Sequence, residues 1–262
     1  MKAINSLNRI ISYFIHLLKA QSNFSIHSPF VFEFVTKVIR NDRILQEYAK
    51  IELLREQLLC NQQFINISDF GTGAEKKRKR KISDIARTSL KSNKQARLIH
   101  RITQYFNPEN ILELGTSFGL TTFYIALAVP QSKIISIEGC NEIASIANTH
   151  FKSNDLHNIE LITGNIDLIL TQNLNKMNRL DMVFFDANHT HEATIEYFLM
   201  TSAMAHNDTI FIFDDIHWSS GMELAWKQIK ALKEVTLSID LYHMGIVFFK
   251  KELSKQDFII RF

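Results

Sequence analysis

Cysteine, proline and glycine are all scarce in this chain, and each scarcity excludes something. Among 262 residues only Cys60 and Cys140 are cysteine. Two thiols cannot build a disulfide framework, so a reducing compartment, the cytoplasm, is the expectation. Three prolines and eight glycines leave little room for long flexible linkers. No stretch approaches the roughly 18 uninterrupted apolar residues of a spanning helix, so no membrane span is expected. Asn8, Arg9 and His16 interrupt the apolar N-terminal stretch, which argues against a secretory signal core. What is plentiful is a hydrophobic fraction of 46% beside 22% charged residues. That balance belongs to a globular protein with a sizeable core and excludes a disordered or fibrous one.

Charge is unevenly spread. Residues 1–100 hold 18 Lys/Arg against 8 Asp/Glu, and residues 101–262 hold 12 against 19. The chain thus reads as a basic N-terminal segment, 1–84, joined to an acidic main domain, 85–262. Within the first segment, Ile4, Leu7, Ile10, Ile11, Phe14, Ile15 and Leu18 recur at helical spacing, an amphipathic helix expected to pack on its own protein. Residues 28–61 read as further helix opened by Ser28-Pro29. Asp69–Lys81, with Gly71, Gly73 and the six cations Lys76–Lys81, reads as a loop, and 83–106 as helix with Ser83-Asp84 as its cap.

From residue 110 short apolar runs alternate with helical segments. Strands are expected at 111–114, 133–137, 159–162, 182–185 and 209–213, with two more near 235–240 and 245–250. Such alternation means an α/β fold: a doubly wound, seven-stranded, mostly parallel sheet. The last two strands are too close in sequence for a parallel crossover, so they form an antiparallel hairpin.

In open parallel sheets, ligands bind beyond the carboxyl ends of the strands. After the first of these strands stands Glu113-Leu114-Gly115-Thr116-Ser117-Phe118-Gly119, a glycine-containing turn opening a helix whose amides can face an anion. Ser117 replaces the second glycine of a dinucleotide fingerprint and Leu120 the third, which weakens a pyrophosphate reading. Glu138 closes the next strand, where a carboxylate can accept both hydroxyls of a ribose. Gly164-Asn165-Ile166 after the third strand is placed to flank an adenine ring. Asp186 ends the fourth strand and Asp214-Asp215 the fifth. Neighbouring strands lie about 4.8 Å apart, so carboxylates at adjacent tips can share a hard cation such as Mg²⁺.

This order of motifs resembles the class I S-adenosylmethionine-dependent methyltransferases, over roughly residues 85–250. Within that class it is most similar to the catechol O-methyltransferase-like small-molecule enzymes. The resemblance implies S-adenosylmethionine held by Glu113, Gly115, Thr116, Ser117, Gly119, Thr121, Glu138, Gly164, Asn165, Ile166 and Asp186. In it Gly115, Ser117 and Gly119 line the methionine part, Thr121 bonds the carboxylate and Glu138 the ribose. It also implies Mg²⁺ on Asp186, Asp214 and Asp215, and an N-terminal helical lid. Asp215 stands where asparagine is common in the catechol enzymes. His189 stands where they place a catalytic lysine, and an imidazole there can accept the acceptor's proton. His217 is a second candidate base, His191 reads as a helix-start residue, and Trp218, Met222 and Trp226 divide between pocket wall and core.

The expected function is methyl transfer from S-adenosylmethionine to an oxygen of a small-molecule acceptor, with Asp186 and His189 as catalytic residues. Nucleic acid is not the expected partner, because no aromatic residues interleave with the Lys76–Lys81 run. An RNA methyltransferase using the basic segment and a non-catalytic scaffold remain alternatives, and the first helix leaves a homodimer open.

Overall fold

The computed structural model of the chain describes residues 2–22, 25–69 and 76–262. Helix α1 spans Lys2–Lys19, α2 spans Pro29–Phe34 and runs into a π-helical turn at Val35–Ile39, and α3 spans Tyr48–Cys60. Ser28 caps α2 through its hydroxyl, with Pro29 in the first turn. Strand β1 (Phe64–Asp69) pairs antiparallel with β2 (Lys76–Lys81). The cation run expected as a loop is therefore a strand. Lysine is a poor strand former, but Ile67 is buried and Ile65 packs on the same core, so tertiary pairing overrides local preference. Residues 70–75 of that expected loop lie outside the described residues.

The single helix expected over 83–106 is two, α4 (Ile82–Ser89) and α5 (Asn93–Phe106). Ser83 is buried inside α4 and caps nothing. The built cap is Ser92, which forms a reciprocal capping box with Gln95 at the start of α5. Next follow β3 (Asn110–Leu114), α6 (Leu120–Ala128), β4 (Lys133–Glu138), α7 (Asn141–Ser153), β5 (Ile159–Thr163), α8 (Ile166–Leu174), β6 (Leu180–Phe185) and α9 (His191–Ser202). The chain closes with β7 (Ala205–Asp214), α10 (Ser220–Ala231), β8 (Leu237–Asp240), β9 (Met244–Phe248) and β10 (Gln256–Ile259).

Two compact units make up the chain, residues 41–176 and residues 1–40 with 177–262. In the first, β3, β4 and β5 lie in that order and all parallel. Phe118, Leu120 and Tyr124, from the β3–α6 turn and α6, are buried with Tyr48, Ile51, Ile82 and Ile85 in one cluster. Helices α3 and α4 thus anchor the turn that follows β3.

In the second unit the strand order is β10-β8-β9-β7-β6. β6 and β7 are parallel, β9 runs antiparallel to both β7 and β8, and β10 adds a parallel edge strand beside β8. The sequence pattern predicts four strands here. The fifth, β10, escapes it because Gln256-Asp257 gives it no apolar run. The fold is α/β with mostly parallel strands and a C-terminal antiparallel hairpin.

Helix α1 reverses the expectation for its apolar stripe. His16 is buried against Asp240 and Ser12 donates to Glu223 Oε1 at 2.8 Å. Ile10, Ile11, Phe14, Ile15 and Leu18 are instead exposed, Leu18 by 86%. The polar stripe carries His16, which reaches the buried Asp240, so that stripe faces inward.

Candidate active site

In the 41–176 unit the β3–α6 turn is forced into unusual backbone. Gly115 has φ 101°, Ser117 50° and Gly119 79°, all in the left-handed region that favours glycine. At Gly119 a Cβ would meet the Phe151 ring at 2.6 Å, so the position has no room for a side chain. The amides of Gly115 and Thr116 both donate to the Ile137 carbonyl, at 2.9 and 3.2 Å, tying the turn to β4. His150 bonds the Phe118 carbonyl through Nδ1 at 3.0 Å; burial lowers its pKa, so it is neutral and donates there.

Glu138 sits at the tip of β4. One carboxylate oxygen accepts from the Ser117 amide at 2.8 Å and the other from the Cys140 amide at 2.9 Å. Burial raises its pKa, opposed by hydrogen bonds from the Cys140, Ser117 and Gly139 amides. A carboxylate offers about four acceptor sites, so beyond these amides the half-buried group keeps capacity for a ligand hydroxyl. Gly164 donates to the Glu138 carbonyl at 2.9 Å, which brings the β5–α8 turn alongside. There Asn165 caps α8 with its Oδ1, at 3.1 Å from the Asp167 amide, and Ile166 is buried behind it. Thr121 is half-buried in the first turn of α6.

Glu113 lies elsewhere than a cofactor contact would. It is fully buried, and its Oε2 accepts from Thr122 and Ser136, each at 2.5 Å, while Thr116 Oγ1 meets Ser136 Oγ at 2.5 Å. Burial raises its pKa to about 7 against those hydrogen bonds. Glu113 and Thr116 thus brace β3, β4 and α6 from beneath the turn. Sequence reasoning missed Ser89, whose hydroxyl lies 3.1 Å from that of Ser117. A serine ending a helix 28 residues upstream carries no local signal.

In the other unit, β6 and β7 run in register with Phe185 opposite Phe213, which sets Asp186 and Asp214 at matching strand tips. Asn188 at φ 48° turns the chain back after β6. Asp186, His189 and Asp214 each offer a ligand atom, all within 4.8 Å of one another, and His189 Nε2 is 3.6 Å from Asp186 Oδ1. Asp214 is buried; the other two are half-buried. Asp215 stands outside this group. Successive residues leave a strand on opposite sides, and Asp215, at φ 53°, donates its amide to the His243 carbonyl at 2.8 Å. His189 occupies the third place expected of Asp215.

His217 has its ring committed at both ends. Nδ1 meets Glu223 Oε1 at 3.2 Å and Nε2 meets Asp240 Oδ2 at 2.9 Å. Burial alone would lower its pKa, but Asp240 and Glu223 more than offset that and raise it. A doubly bonded imidazolium has no free lone pair, so His217 does not serve as a base. Burial likewise opposes the charge on Asp240, yet hydrogen bonds with His16 and His217 hold its carboxyl well below the usual range. Buried Trp226 donates to the same carboxylate at 3.2 Å, and Met222 is buried, whereas Trp218 is exposed. His191 opens α9 and bonds Gln228 at 3.0 Å.

Residues 112–216, which span every strand tip described above from Glu113 to Asp215, match the family model of a methyltransferase domain. The fold is the Rossmann-like fold of methyltransferases. A catechol O-methyltransferase from Niastella koreensis is 27% identical over 128 residues, covering 48% of this chain and 57% of the relative. The chain therefore spans little more than half the length of that methyltransferase. Among solved structures, an O-methyltransferase from Bacillus cereus in complex with SAH has a TM-score of 0.58 at 17% identity, covering 84% of this chain and 97% of its own. The O-methyltransferase TomG from Streptomyces achromogenes, in complex with SAM, has a TM-score of 0.54 at 19% identity, covering 62% and 82%. No helix among the described residues is long and apolar enough to cross a membrane.

Proposed function

We propose that this protein moves the methyl group of S-adenosylmethionine to an oxygen of a small-molecule acceptor in the cytoplasm. The observation that carries the reading is the Glu138 carboxylate, fixed at the tip of β4 by backbone amides with acceptor capacity left over. That arrangement fits the paired hydroxyls of a ribose. The left-handed turn Gly115–Gly119 would take the methionine portion, with Thr121 at its carboxylate and the Gly164–Ile166 turn along the adenine. Bound through these remote parts, the cofactor would supply an electrophilic methyl group for transfer. The carbon–sulfur bond breaks with its electron pair passing to sulfur, giving S-adenosylhomocysteine, as the acceptor oxygen forms the new bond to carbon.

The acceptor proton leaves to His189, which Asp186 faces at 3.6 Å. The same three side chains, Asp186, His189 and Asp214, fit a divalent cation, which would polarise the acceptor oxygen when bound. An imidazole among two carboxylates suits Mn²⁺ or Zn²⁺ better than Mg²⁺, which favours an all-oxygen shell. His189 ligating a cation has surrendered the lone pair a base needs, so the two roles are alternatives. Radiolabelled methyl transfer to 1,2-dihydroxyarenes, run with EDTA and with Mn²⁺, tests both. Turnover that survives EDTA and collapses in His189→Ala supports the base; turnover restored only by metal supports the ligand. Absence of transfer to any hydroxylated acceptor overturns the reading.

A further inference from the structure

A cationic, aromatic cradle beside the strand tips carries the next step. Arg9 of α1 lies over the Trp218 ring, 4.0 Å from its centroid. Among the described residues no carboxylate pairs with it. The guanidinium borders two cavities, one of about 330 Å³ that includes Ser12, Trp218 and Ser219, and one of about 390 Å³ that includes Tyr13, Tyr242 and His243.

The walls are rigidly built. Tyr242 has φ 72°, a strained conformation for a bulky residue that persists only where its surroundings enforce it. Its amide donates to Asp240 Oδ1 at 2.8 Å and its hydroxyl to the Arg9 carbonyl at 2.6 Å. Its ring stacks on His217, with centroids 5.1 Å apart, and meets Tyr13 edge-on at 4.8 Å. Glu223, a carboxylate on the same wall, is already occupied by Ser12 and His217. This lining belongs to the loops that carry the acid cluster. Trp218 follows Asp214 by four residues, and the His243 carbonyl accepts the Asp215 amide.

A planar guanidinium offers paired N–H donors that match a carboxylate, and flat aromatic walls match a ring. Building on the methyltransferase reading above, we propose that Arg9 sets acceptor specificity. It receives the carboxylate of an aromatic acid whose ring lies in the cavity beside Tyr13 and Tyr242, with the hydroxyl to be methylated turned toward Asp186, His189 and Asp214. Helix α1 then has a positive task, to present Arg9 and Tyr13 to the acceptor.

The test compares 3,4-dihydroxybenzoate with catechol on the full chain in the presence of S-adenosylhomocysteine, by calorimetric titration, and with S-adenosylmethionine, by turnover. The wild type should bind the acid at least tenfold more tightly than catechol. Arg9→Gln should remove most of that preference, and Arg9→Lys should restore only part of it, since an ammonium keeps the charge without the paired donors. Trp218→Ala should also reduce the preference, by freeing the guanidinium from its platform. Equal affinity for the two compounds in the wild type, or an unchanged ratio in Arg9→Gln, overturns the proposal. Preferential, Arg9-dependent binding of the acid without methylation of either compound supports the site and refutes the methyl-transfer reading instead, so the two failures are distinct.

Discussion

Replacing Glu138 by glutamine probes the cofactor site through a single atom exchange. In the wild type one carboxylate oxygen faces the Ser117 amide at 2.8 Å and the other the Cys140 amide at 2.9 Å. A carboxamide has one acceptor oxygen, so its NH₂ must face one of those N–H donors, donor against donor. One backbone amide loses its partner, at a cost of about 1–3 kcal/mol. One ribose hydroxyl also loses a charged acceptor, worth about 1.5–3 kcal/mol. The first loss is largely felt by the free protein as well, so the binding loss is taken as about 2–3 kcal/mol, or roughly 30- to 150-fold in Kd. Calorimetric titration with S-adenosylhomocysteine measures it, with circular dichroism confirming that the variant is folded. A folded Glu138→Gln protein whose Kd stays within twofold of wild type would refute the ribose assignment.

Three further outcomes follow from the geometry. Glu113 has a folded pKa of about 7, above its ordinary value. The folded state therefore holds a proton that the unfolded state releases, and stability should fall as pH rises from about 4.5 to 7, by up to about 3 kcal/mol. Denaturant melts should show that slope in the wild type and a flatter one in Glu113→Gln; equal slopes would contradict it. Gly119→Ala should cost about 1–3 kcal/mol and weaken S-adenosylhomocysteine binding, because the new methyl meets Phe151 at a left-handed φ; an unchanged Tm would refute the close approach. Asp240→Ala should destabilise the protein by about 3–5 kcal/mol, since His16, His217, Trp226 and the Tyr242 amide all lose their shared acceptor. A loss under 1 kcal/mol in a urea melt would show that the network contributes little.

The main alternation of strands and helices is legible because each parallel strand is a short apolar run ending at a polar or glycine residue, such as Leu114-Gly115, Phe185-Asp186 or Phe213-Asp214. The strand-tip carboxylates are legible for the same reason. What fails is whatever depends on a distant partner. Lys76–Lys81 looks like a solvated loop until Phe64–Asp69 pairs with it. Helix α1 looks ready to bury Phe14 and Leu18 until Asp240 and Glu223, more than 200 residues away, claim its polar stripe. His217 looks like a base for the same reason, since nothing near it announces Asp240. Choosing between Asp215 and His189 as the third member of the cluster needs the backbone reversal at Asn188 and the divergence of side chains after β7, neither of which a residue pattern encodes.

The most direct test of the central claim is a thermal melt of the protein with S-adenosylhomocysteine. At about 100 times its Kd, a ligand that binds only the folded state should add roughly 2.7 kcal/mol, a rise in Tm of several degrees for a chain of this size. That rise is expected in the wild type, with a much smaller one in Glu138→Gln at the same concentration. No shift at millimolar S-adenosylhomocysteine would contradict it, leaving the methyltransferase fold without the cofactor that its turn and Glu138 are argued to hold.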